Sequence, residues 1–442
     1  MDFAGFVSTI NGFVWGPIML VLLVGTGVFL SLRCGFIQFV QLPRALRLVF
    51  SRRQDKGAGD ISPFQALTTA LSATIGTGNI AGVATAIAAG GPGAIFWMWI
   101  CALFGMATKY GEAVLAVKYR HVQPDGTMQG GPMRYIADGL GWKWLGALFA
   151  FFGAFAAFGI GSMVQSNSVA LALYSAWGVP TKATGGVLAV LTGIVIIGGI
   201  KRIGKVTEKL VPAMALFYVI GALVIIILHI DKLPEAFGLI LGHAFTPSSA
   251  AGGFAGATVS AAMRFGVARG VFSNEAGLGS APIAHAAAQT DNPVRQGLIA
   301  MTGVFFDTVV VCTMTALVLL MTGAWHSGET SSAMTEFAFS NGLPGPGGLI
   351  VTIGLAVFAY STMIGWAYYG EECIEYLLGS KVRMPYRYIF CLVIFVGAFL
   401  KVDLVWNLSD TMNGAMAIPN LIGLLGLSGV LARATKEGLA KV

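Results

Sequence analysis

Apolar residues fill the chain in long runs, and charged residues gather in the short segments between them. A membrane-spanning helix needs about 20 mostly apolar residues. The stretch from residue 61 to residue 108 holds no charged side chain and has room for two such helices, divided by "GGPG" at 90–93. The pattern predicts an all-α integral membrane protein with eleven transmembrane helices. The predicted spans are 14–32, the two parts of 61–108, 144–173, 185–199, 210–229, 250–271, 298–321, 347–370, 388–400 and 405–431.

The basic residues predict a direction for these spans. If the N-terminus is outside, the loops after odd-numbered spans are cytoplasmic, and nearly all of the 27 Lys and Arg residues lie in or beside those loops. Cytoplasmic loops of membrane proteins carry this excess of positive charge. We therefore expect a multi-pass protein of the cell membrane, surrounded by lipid, with its C-terminus in the cytoplasm. The net charge of +7 then belongs to the membrane face, and no nucleic-acid partner is expected.

Composition supports the same class. Hydrophobic residues make up 56% of the chain and charged residues 11%, whereas soluble domains carry about 25% charged residues. The five cysteines are isolated, which favours packing in helices over a metal site or disulfide. The five histidines are scattered, and no HExxH, GxSxG or Walker pattern occurs. We therefore do not expect the protein to be an enzyme, and no obligatory protein partner is evident from the sequence.

The span count suggests an internal duplication. Without the first span, ten remain, and two groups of five would run in opposite directions, as in inverted-repeat transporters. Residues 1–442 are then one transmembrane domain. Its predicted parts are an extra N-terminal helix (14–32), a cytoplasmic or interfacial segment (33–60), a first repeat (61–230) and a second repeat (250–432). The segment 33–60 mixes basic and apolar residues, which fits a helix on the inner leaflet or a packed cytoplasmic helix equally well.

The stretch "SATIGTGNIAG" (72–82) interrupts the second span close to the membrane midplane. Non-helical backbone survives at that depth only where its polar groups face protein or a polar cavity. The half-helix that starts there would offer N–H groups to a carboxylate, and the half that ends there would offer carbonyls to a cation. Close helix packing through small residues is the alternative explanation. The seventh span, "GGFAGATVSAAMRFGVARGVFSNEAGLGS", is also a poor continuous helix, and it occupies the corresponding position in the second repeat.

Polar residues in other spans extend this hypothesis. Ser361 and Thr362 place two hydroxyls in the apolar ninth span, where they could join backbone carbonyls around Na⁺ or bond back to their own helix. Gln165 and Asn167 could contact substrate or hold helices together. Asp307 lies deep in the eighth span, as a salt-bridge partner of an inner Arg or as a gate or proton site. Residues 61–108 and 337–370 contain no carboxylate, which favours a zwitterionic amino acid over an amine. A channel is less well supported, since no filter segment is present.

The chain resembles the alanine or glycine:cation symporters of bacteria and archaea. The resemblance is carried over nearly the whole chain by "TALSATIGTGNIAGVATAI", "GGPGAIFWMWICALFGMATKYGEAVLAVKYR", "GGPM", "RGVFSNEAGLGSAPIAHAAA" and "DTVVVCTMTALVL". It implies a LeuT-type fold, with one N-terminal helix plus a 5+5 inverted repeat whose first helices are broken. It also implies import of a small neutral amino acid, alanine or glycine, with Na⁺ as coupling ion and no organic cofactor.

The resemblance further implies the roles of single residues. Backbone amides at Thr77 and Gly78 would hold the substrate carboxylate. The carbonyls of Ser72 and Ile75 would surround Na⁺ together with the hydroxyls of Ser361 and Thr362. The other implied positions are Gln165 and Trp366 at the substrate, Asn79 at a second cation, and Thr258, Ser260 and Met263 on the seventh span. Three alternatives stay open: a glutamine symporter, a permease coupled to H⁺ through Asp307, and a sensor that binds without transport.

Overall fold

The computed structural model describes residues 3–51, 57–248, 256–400 and 402–442. In these ranges it is helical apart from an antiparallel hairpin of β1 (His121–Val122) and β2 (Met128–Gln129). The helices of the first half are α1 (Phe3–Val14), α2 (Pro17–Arg33), α3 (Ile37–Val40), α4 (Leu42–Val49), α5 (Pro63–Thr74), α6 (Val83–Gly90), α7 (Ala94–Lys118), α8 (Pro132–Arg134), α9 (Lys143–Phe158), α10 (Val164–Trp177), α11 (Thr181–Ile196), α12 (Gly199–Leu228) and α13 (Leu233–His243).

The second half contains nine further helices in the described ranges. They are α14 (Val259–Asn274), α15 (Ala281–Ala286), α16 (Pro293–Val304), α17 (Thr313–Met321), α18 (Ser331–Gly342), α19 (Gly347–Leu378), α20 (Arg383–Gly397), α21 (Val402–Gly426) and α22 (Ser428–Leu439). π-Helical turns lie at Gly78–Gly82, Tyr135–Gly139, Gly159–Met163 and Phe305–Cys312, and 3₁₀ turns at Ile230–Lys232, Ala324–His326 and Ser380–Val382.

Every predicted span overlaps a helix. By length and composition, five described helical segments can cross a membrane: 94–118, 143–177, 199–228, 293–321 and 347–378. Two bent pairs raise this number to seven, and α2 and α11 are shorter apolar helices. The total of eleven therefore stays a prediction. The start of the predicted seventh span and second repeat (250–255) and residues 52–56 of the segment 33–60 lie outside the described residues.

Some predicted boundaries are wrong. The basic stretch after the fifth predicted span is not a loop, because α12 begins at Gly199 and includes it. The ninth span also extends further, to Leu378. In both places the charged residues continue an amphipathic helix beyond its apolar part, which a count of apolar residues does not detect. At the other end of the first broken span, Gly91 has φ 72° and terminates α6, in agreement with the "GGPG" boundary.

The break in the second span is confirmed. Ser62 and Gln65 form a capping box at the start of α5, which fixes where the helix begins. At the other end, Ile75 leaves the helical conformation with ψ 96°. The chain resumes in the π-helical turn that starts at Gly78, bent by 53° from α5.

The corresponding break in the second repeat lies after α14. The Thr258 hydroxyl caps the start of α14 by accepting from the Ala261 amide. The helix ends at Asn274 because Glu275 adopts a left-handed conformation, with φ 57°. Gly277 (φ 92°) and Gly279 (φ 85°) continue the non-helical path until α15 begins, and such angles favour glycine. The break is therefore 275–280 rather than the region of Thr258, Ser260 and Met263.

The first break meets the last turn of α14 inside the protein. A side chain at Gly78 would come within 3.2 Å of the Ser273 Cα and 3.3 Å of the Phe272 ring, so the two broken spans approach there without an intervening side chain. Around this crossing, α5 packs against α12, α19 and α15, and α14 packs against α7 and α6. This close crossing places backbone and polar groups from both repeats in one buried region.

Candidate functional site

Four oxygen atoms come together where α5 ends beside α19. The Ser361 hydroxyl lies 3.2 Å from the Ser72 carbonyl oxygen and 3.5 Å from that of Ile75. The Thr362 hydroxyl lies 3.4 Å from the same Ile75 oxygen. All four residues are buried. The structure thus brings together the complete set that the resemblance implied for Na⁺.

The hydrogens of these hydroxyls have a better acceptor elsewhere. Ser361 and Thr362 each make their shortest contact with the Phe358 carbonyl, at 2.8 Å and 3.0 Å. Each hydroxyl has a single hydrogen, so its lone pairs are left facing the carbonyls of α5. The oxygen ligands of a cation such as Na⁺ or Ca²⁺ lie at about 2.4 Å from the ion. In an octahedron, this distance separates neighbouring ligand oxygens by about 3.4 Å. The observed spacing fits a hard cation.

Unpartnered polar atoms surround the other side of the break. The Thr77 hydroxyl and the Gln165 Oε1 atom are buried and have no hydrogen-bond partner among the described residues. Gln165 Nε2 donates to the Ile160 carbonyl at 3.0 Å, which turns Oε1 towards the break. A side chain at Gly76 would meet Thr362 Oγ1 at 2.5 Å and Gln165 Oε1 at 3.6 Å. Because buried polar groups are normally satisfied, these atoms are suited to a polar ligand.

Trp366, which belongs to α19, lies at the edge of this region. Its indole N–H donates to Glu275 Oε1 at 2.9 Å, and the Ser280 hydroxyl donates to Glu275 Oε2. The π-helical turn before α10 passes directly behind the ring: a side chain at Gly161 would lie 2.1 Å from the Trp366 Cβ atom. The indole is therefore fixed on both sides, by a carboxylate of one broken span and by a glycine backbone.

Asn79 and Asp307 also come together. Asn79 Oδ1 accepts from the Gly76 amide at 2.9 Å, and its Nδ2 donates to Asp307 Oδ1 at 2.7 Å. Ser273 and Thr308 donate to the other carboxylate oxygen, at 2.8 Å and 2.7 Å. A salt bridge from Asp307 to an inner Arg, the alternative prediction, is not formed among the described residues, where its side-chain partners are these neutral groups. One carboxylate thus connects both broken spans with the eighth span.

Glu112 on α7 holds the second break. Its Oε1 atom accepts from the amides of Gly277 and Gly279, both at 3.1 Å, and from Asn420 Nδ2 at 2.7 Å. These amides would otherwise be unpaired in a non-helical segment, which is costly when buried. Glu112 forms no ion pair with Lys109, although the i, i+3 spacing of the two residues on α7 would favour one. The Lys109 ammonium is buried without a hydrogen-bond partner among the described residues.

The comparisons with known proteins now bear on this geometry. A sequence model of the sodium:alanine symporter family matches residues 1–441. The chain belongs to this family. It is similar to the sodium/alanine symporter AgcS of Methanococcus maripaludis, with 60% identity over 99% of this chain and 97% of that protein. It is also 40% identical to the "probable sodium/glutamine symporter GlnT" of Bacillus subtilis, over 98% of this chain and 90% of that protein.

A solved structure supports the fold of this symporter. A variant of the Eremococcus coleocola manganese transporter superposes with a TM-score of 0.54 at 15% identity, covering 83% of this chain and 78% of that one. At this identity the likeness concerns the fold alone, and it confirms the predicted LeuT-type class. Family membership makes the chain a membrane transporter rather than an enzyme, and connects it with sodium-coupled symport of an amino acid.

Three residues of the symporter's seventh span that were candidate substrate contacts lie away from the break. Met263 is 41% exposed and, with Ser260, lines an apolar groove beside α2. It is about 16 Å along the helix from Asn274, at 1.5 Å per residue. Thr258 only caps α14. Asn167 on α10 donates to the carbonyls of Gly397 and Leu400, so it joins helices rather than facing the break.

Sequence reasoning missed two carboxylates of the symporter's site. Glu275 lies within the motif "RGVFSNEAGLGSAPIAHAAA", which indicates the family but no role for this residue, and Glu112 lies three residues from Lys109, which favours a structural ion pair. Together with Asp307 they place three carboxyl groups near the Lys109 ammonium. Where such groups are ionised in a low-dielectric interior, they favour binding of a cation. The available signal was an acidic residue followed closely by two glycines in "NEAGLGS".

Proposed function

We propose that this symporter imports a small neutral amino acid, alanine first and glycine second, with Na⁺ as the coupling ion. The observation that carries the proposal is the meeting of the Ser72 and Ile75 carbonyls with the Ser361 and Thr362 hydroxyls. Lone pairs that face each other across 3.2–3.5 Å repel unless a cation lies between them. Na⁺ is a hard cation of suitable size for such oxygen ligands.

The substrate lies next to this cation, on the other side of the break. The first N–H groups of the half-helix at Thr77 and Gly78 bind its carboxylate, because they have no acceptor within their own helix. Gln165 Oε1 accepts from its ammonium group. Trp366, fixed between Glu275 and Gly161, limits the length of the side chain and so selects small amino acids. Met263 has no part in this arrangement.

Coupling follows from shared groups. Na⁺ between Ile75 and Thr362 joins the broken span to α19 and fixes the end of α5, so that the neighbouring amides point at the carboxylate. A ligand shifts a conformational equilibrium only through its different affinity for the two states. Na⁺ therefore favours the geometry that binds substrate, and a rocking motion of the helix bundle then opens the cytoplasmic side.

Asn79 and Asp307 form a second candidate position for a cation. The hydrogen bonds to the Asp307 carboxylate come from neutral donors, and this position suits either a second Na⁺ or a proton. Coupling to H⁺ is thus the alternative mechanism within the same transport function. Glutamine as substrate is the other alternative, in view of the relative named for glutamine.

Counterflow of labelled alanine in proteoliposomes tests the proposal. We expect uptake that rises with an inward Na⁺ gradient and competition by glycine more than by glutamine. Uptake driven by a proton gradient without Na⁺ would favour the H⁺ alternative. Binding without any counterflow would indicate a sensor, and preferential competition by glutamine would overturn the substrate assignment.

A further inference from the structure

An apolar groove of about 380 Å³ runs between α5, α12 and the π-helical turn 305–312. Its lining begins at Phe64 and Val211 and ends at Ile75, Val219 and Val311. The hydroxyl of Thr68, which also lines it, donates to its own helix at Gln65. The groove therefore offers almost nothing to a polar ligand.

The groove opens sideways, towards the bilayer. Phe50 at its inner end is 73% exposed and Leu216 on its rim is 60% exposed. The neighbouring residues of α12, among them Phe217 and Ile220, continue this apolar surface. Since α12 is long and apolar enough to cross the membrane, lipid is what covers this surface.

The length of the groove matches one leaflet. From Phe64 to Ile75 it extends about 16 Å at 1.5 Å per residue, and half of a hydrocarbon core of about 30 Å is about 15 Å. In the predicted topology it starts at the cytoplasmic surface and ends at the midplane break. An acyl chain of an inner-leaflet lipid has the length and the chemistry to fill it.

Positive charges flank the inner end. Lys205 precedes Pro212 by two helical turns on the same face of α12, and its side chain is exposed. Arg47 on α4 is exposed beside Val49 and Phe50, which line the groove. The acidic Glu208, three residues after Lys205 on α12, is turned to α5, where it accepts from Gln65 Nε2 at 2.8 Å. These cations suit the phosphate of an anionic headgroup.

We propose that this groove is a binding site for an anionic phospholipid, with one acyl chain between α5 and α12 and the headgroup at Arg47 and Lys205. The chain ends against the Ile75 side chain, whose carbonyl belongs to the oxygen cluster described above. An occupied groove holds α5 in its present position, because movement of α5 towards α12 must first displace the chain. The site itself does not depend on which amino acid is carried.

Lipid titration of the full-length, purified protein in detergent tests the site, with native mass spectrometry as the readout. Wild-type protein should bind phosphatidylglycerol more tightly than phosphatidylcholine. Ala215→Trp fills the groove and should abolish this tight binding. Ala213→Trp, on the same helix but outside the groove lining, is the matched control and should bind as wild type does. Equal binding by the two Trp variants overturns the proposal.

The headgroup contacts have their own test, which also serves if Ala215→Trp does not fold. Replacing Arg47 and Lys205 by Gln should lower the affinity for phosphatidylglycerol by about fivefold per charge and leave phosphatidylcholine binding unchanged. Lys436→Gln, an exposed cation on α22, is the control and should have no effect. Unchanged phosphatidylglycerol affinity in the double variant overturns the proposed headgroup position and with it the preference for anionic lipid. These lipid-binding experiments do not depend on whether the protein transports alanine. The lipid site can therefore be tested even if the proposed transport function is wrong.

Discussion

Thr362 is the residue that touches both proposed ligands. Its hydroxyl lies 3.4 Å from the Ile75 carbonyl and would come within 2.5 Å of a side chain at Gly76. Thr362→Val keeps the shape but removes the oxygen ligand, so we expect the Na⁺ concentration for half-maximal alanine uptake to rise at least about tenfold, as for loss of one charge-assisted contact. Thr362→Ser keeps the oxygen and should stay within a few-fold of wild type. Unchanged Na⁺ activation in the Val variant would contradict the assignment.

The contact of Trp366 with Glu275 gives a second prediction at the residue scale. Trp366→Phe keeps an aromatic ring but leaves the buried Glu275 carboxylate without its indole donor, which costs about 1–3 kcal/mol. We expect weaker alanine binding and broader acceptance of longer side chains. Glu275→Gln still offers an oxygen to the indole and should preserve selectivity better than Glu275→Ala. Competition of labelled alanine uptake by a series of neutral amino acids measures this, and identical selectivity in all variants would refute the role.

Among the helices, the second break depends on a distant partner. Glu112→Ala removes the acceptor of two backbone amides at Gly277 and Gly279, and hydrogen bonds to charged groups contribute about 1.5–3 kcal/mol each. We expect transport to fall at least about tenfold while protein remains in the membrane. Glu112→Gln retains one acceptor oxygen and should give an intermediate rate. Hydrogen exchange of residues 275–280 should be slowest in wild-type protein, faster in Glu112→Gln and fastest in Glu112→Ala. Equal transport rates for the Gln and Ala variants would show that the acceptor at position 112 does not matter.

The two breaks differ in how visible they are in the sequence. The first, Ile75–Gly78, lies in an uncharged apolar stretch, where glycines and Asn79 stand out against their neighbours. The second lies in "SNEAGLGS", which is polar enough to pass for a loop beyond the span. Its position is set by Glu275 in a left-handed conformation and by Glu112, which is far away in the chain. Apolar periodicity cannot reveal such a contact, so the sequence left the position of this break open.

On the scale of the whole molecule, the sequence predicts the fold class because lipid imposes strict rules on length and polarity. Apart from a helix in the segment 33–60, the helices outside the spans were not predicted. One of them, α18, packs against the first break, where the Thr335 hydroxyl donates to the Ile80 carbonyl at 3.1 Å. Its sequence is short and mixed in polarity, and only its packing against α19 reveals its position. The network of Glu112, Glu275 and Asp307 is likewise a product of the folded arrangement, since each residue comes from a different helix or break.

The close approach of the two proposed sites predicts reciprocal coupling for the molecule as a whole. Alanine and Na⁺ both fix the segment from Ile75 to Gly78 when they bind. Bound Na⁺ should therefore increase the affinity of the protein for alanine, and bound alanine should increase its affinity for Na⁺ by the same factor, as linkage requires. Typical coupling free energies of about 1–3 kcal/mol correspond to about 5–150-fold. Calorimetric titration of the purified protein with alanine at several Na⁺ concentrations, and the reverse titration, measures both factors.

Thr362→Val should reduce both factors towards one, because it removes the group that connects the oxygen cluster with the break. Thr362→Ser is the control and should keep them. If alanine affinity were independent of Na⁺ in wild-type protein, the two sites would not be coupled through α5, and the oxygen cluster would have to be interpreted as a structural contact. If the coupling persisted undiminished in the Val variant, it would have to pass through Asn79 and Asp307, the second position where a cation or proton can join the two broken spans.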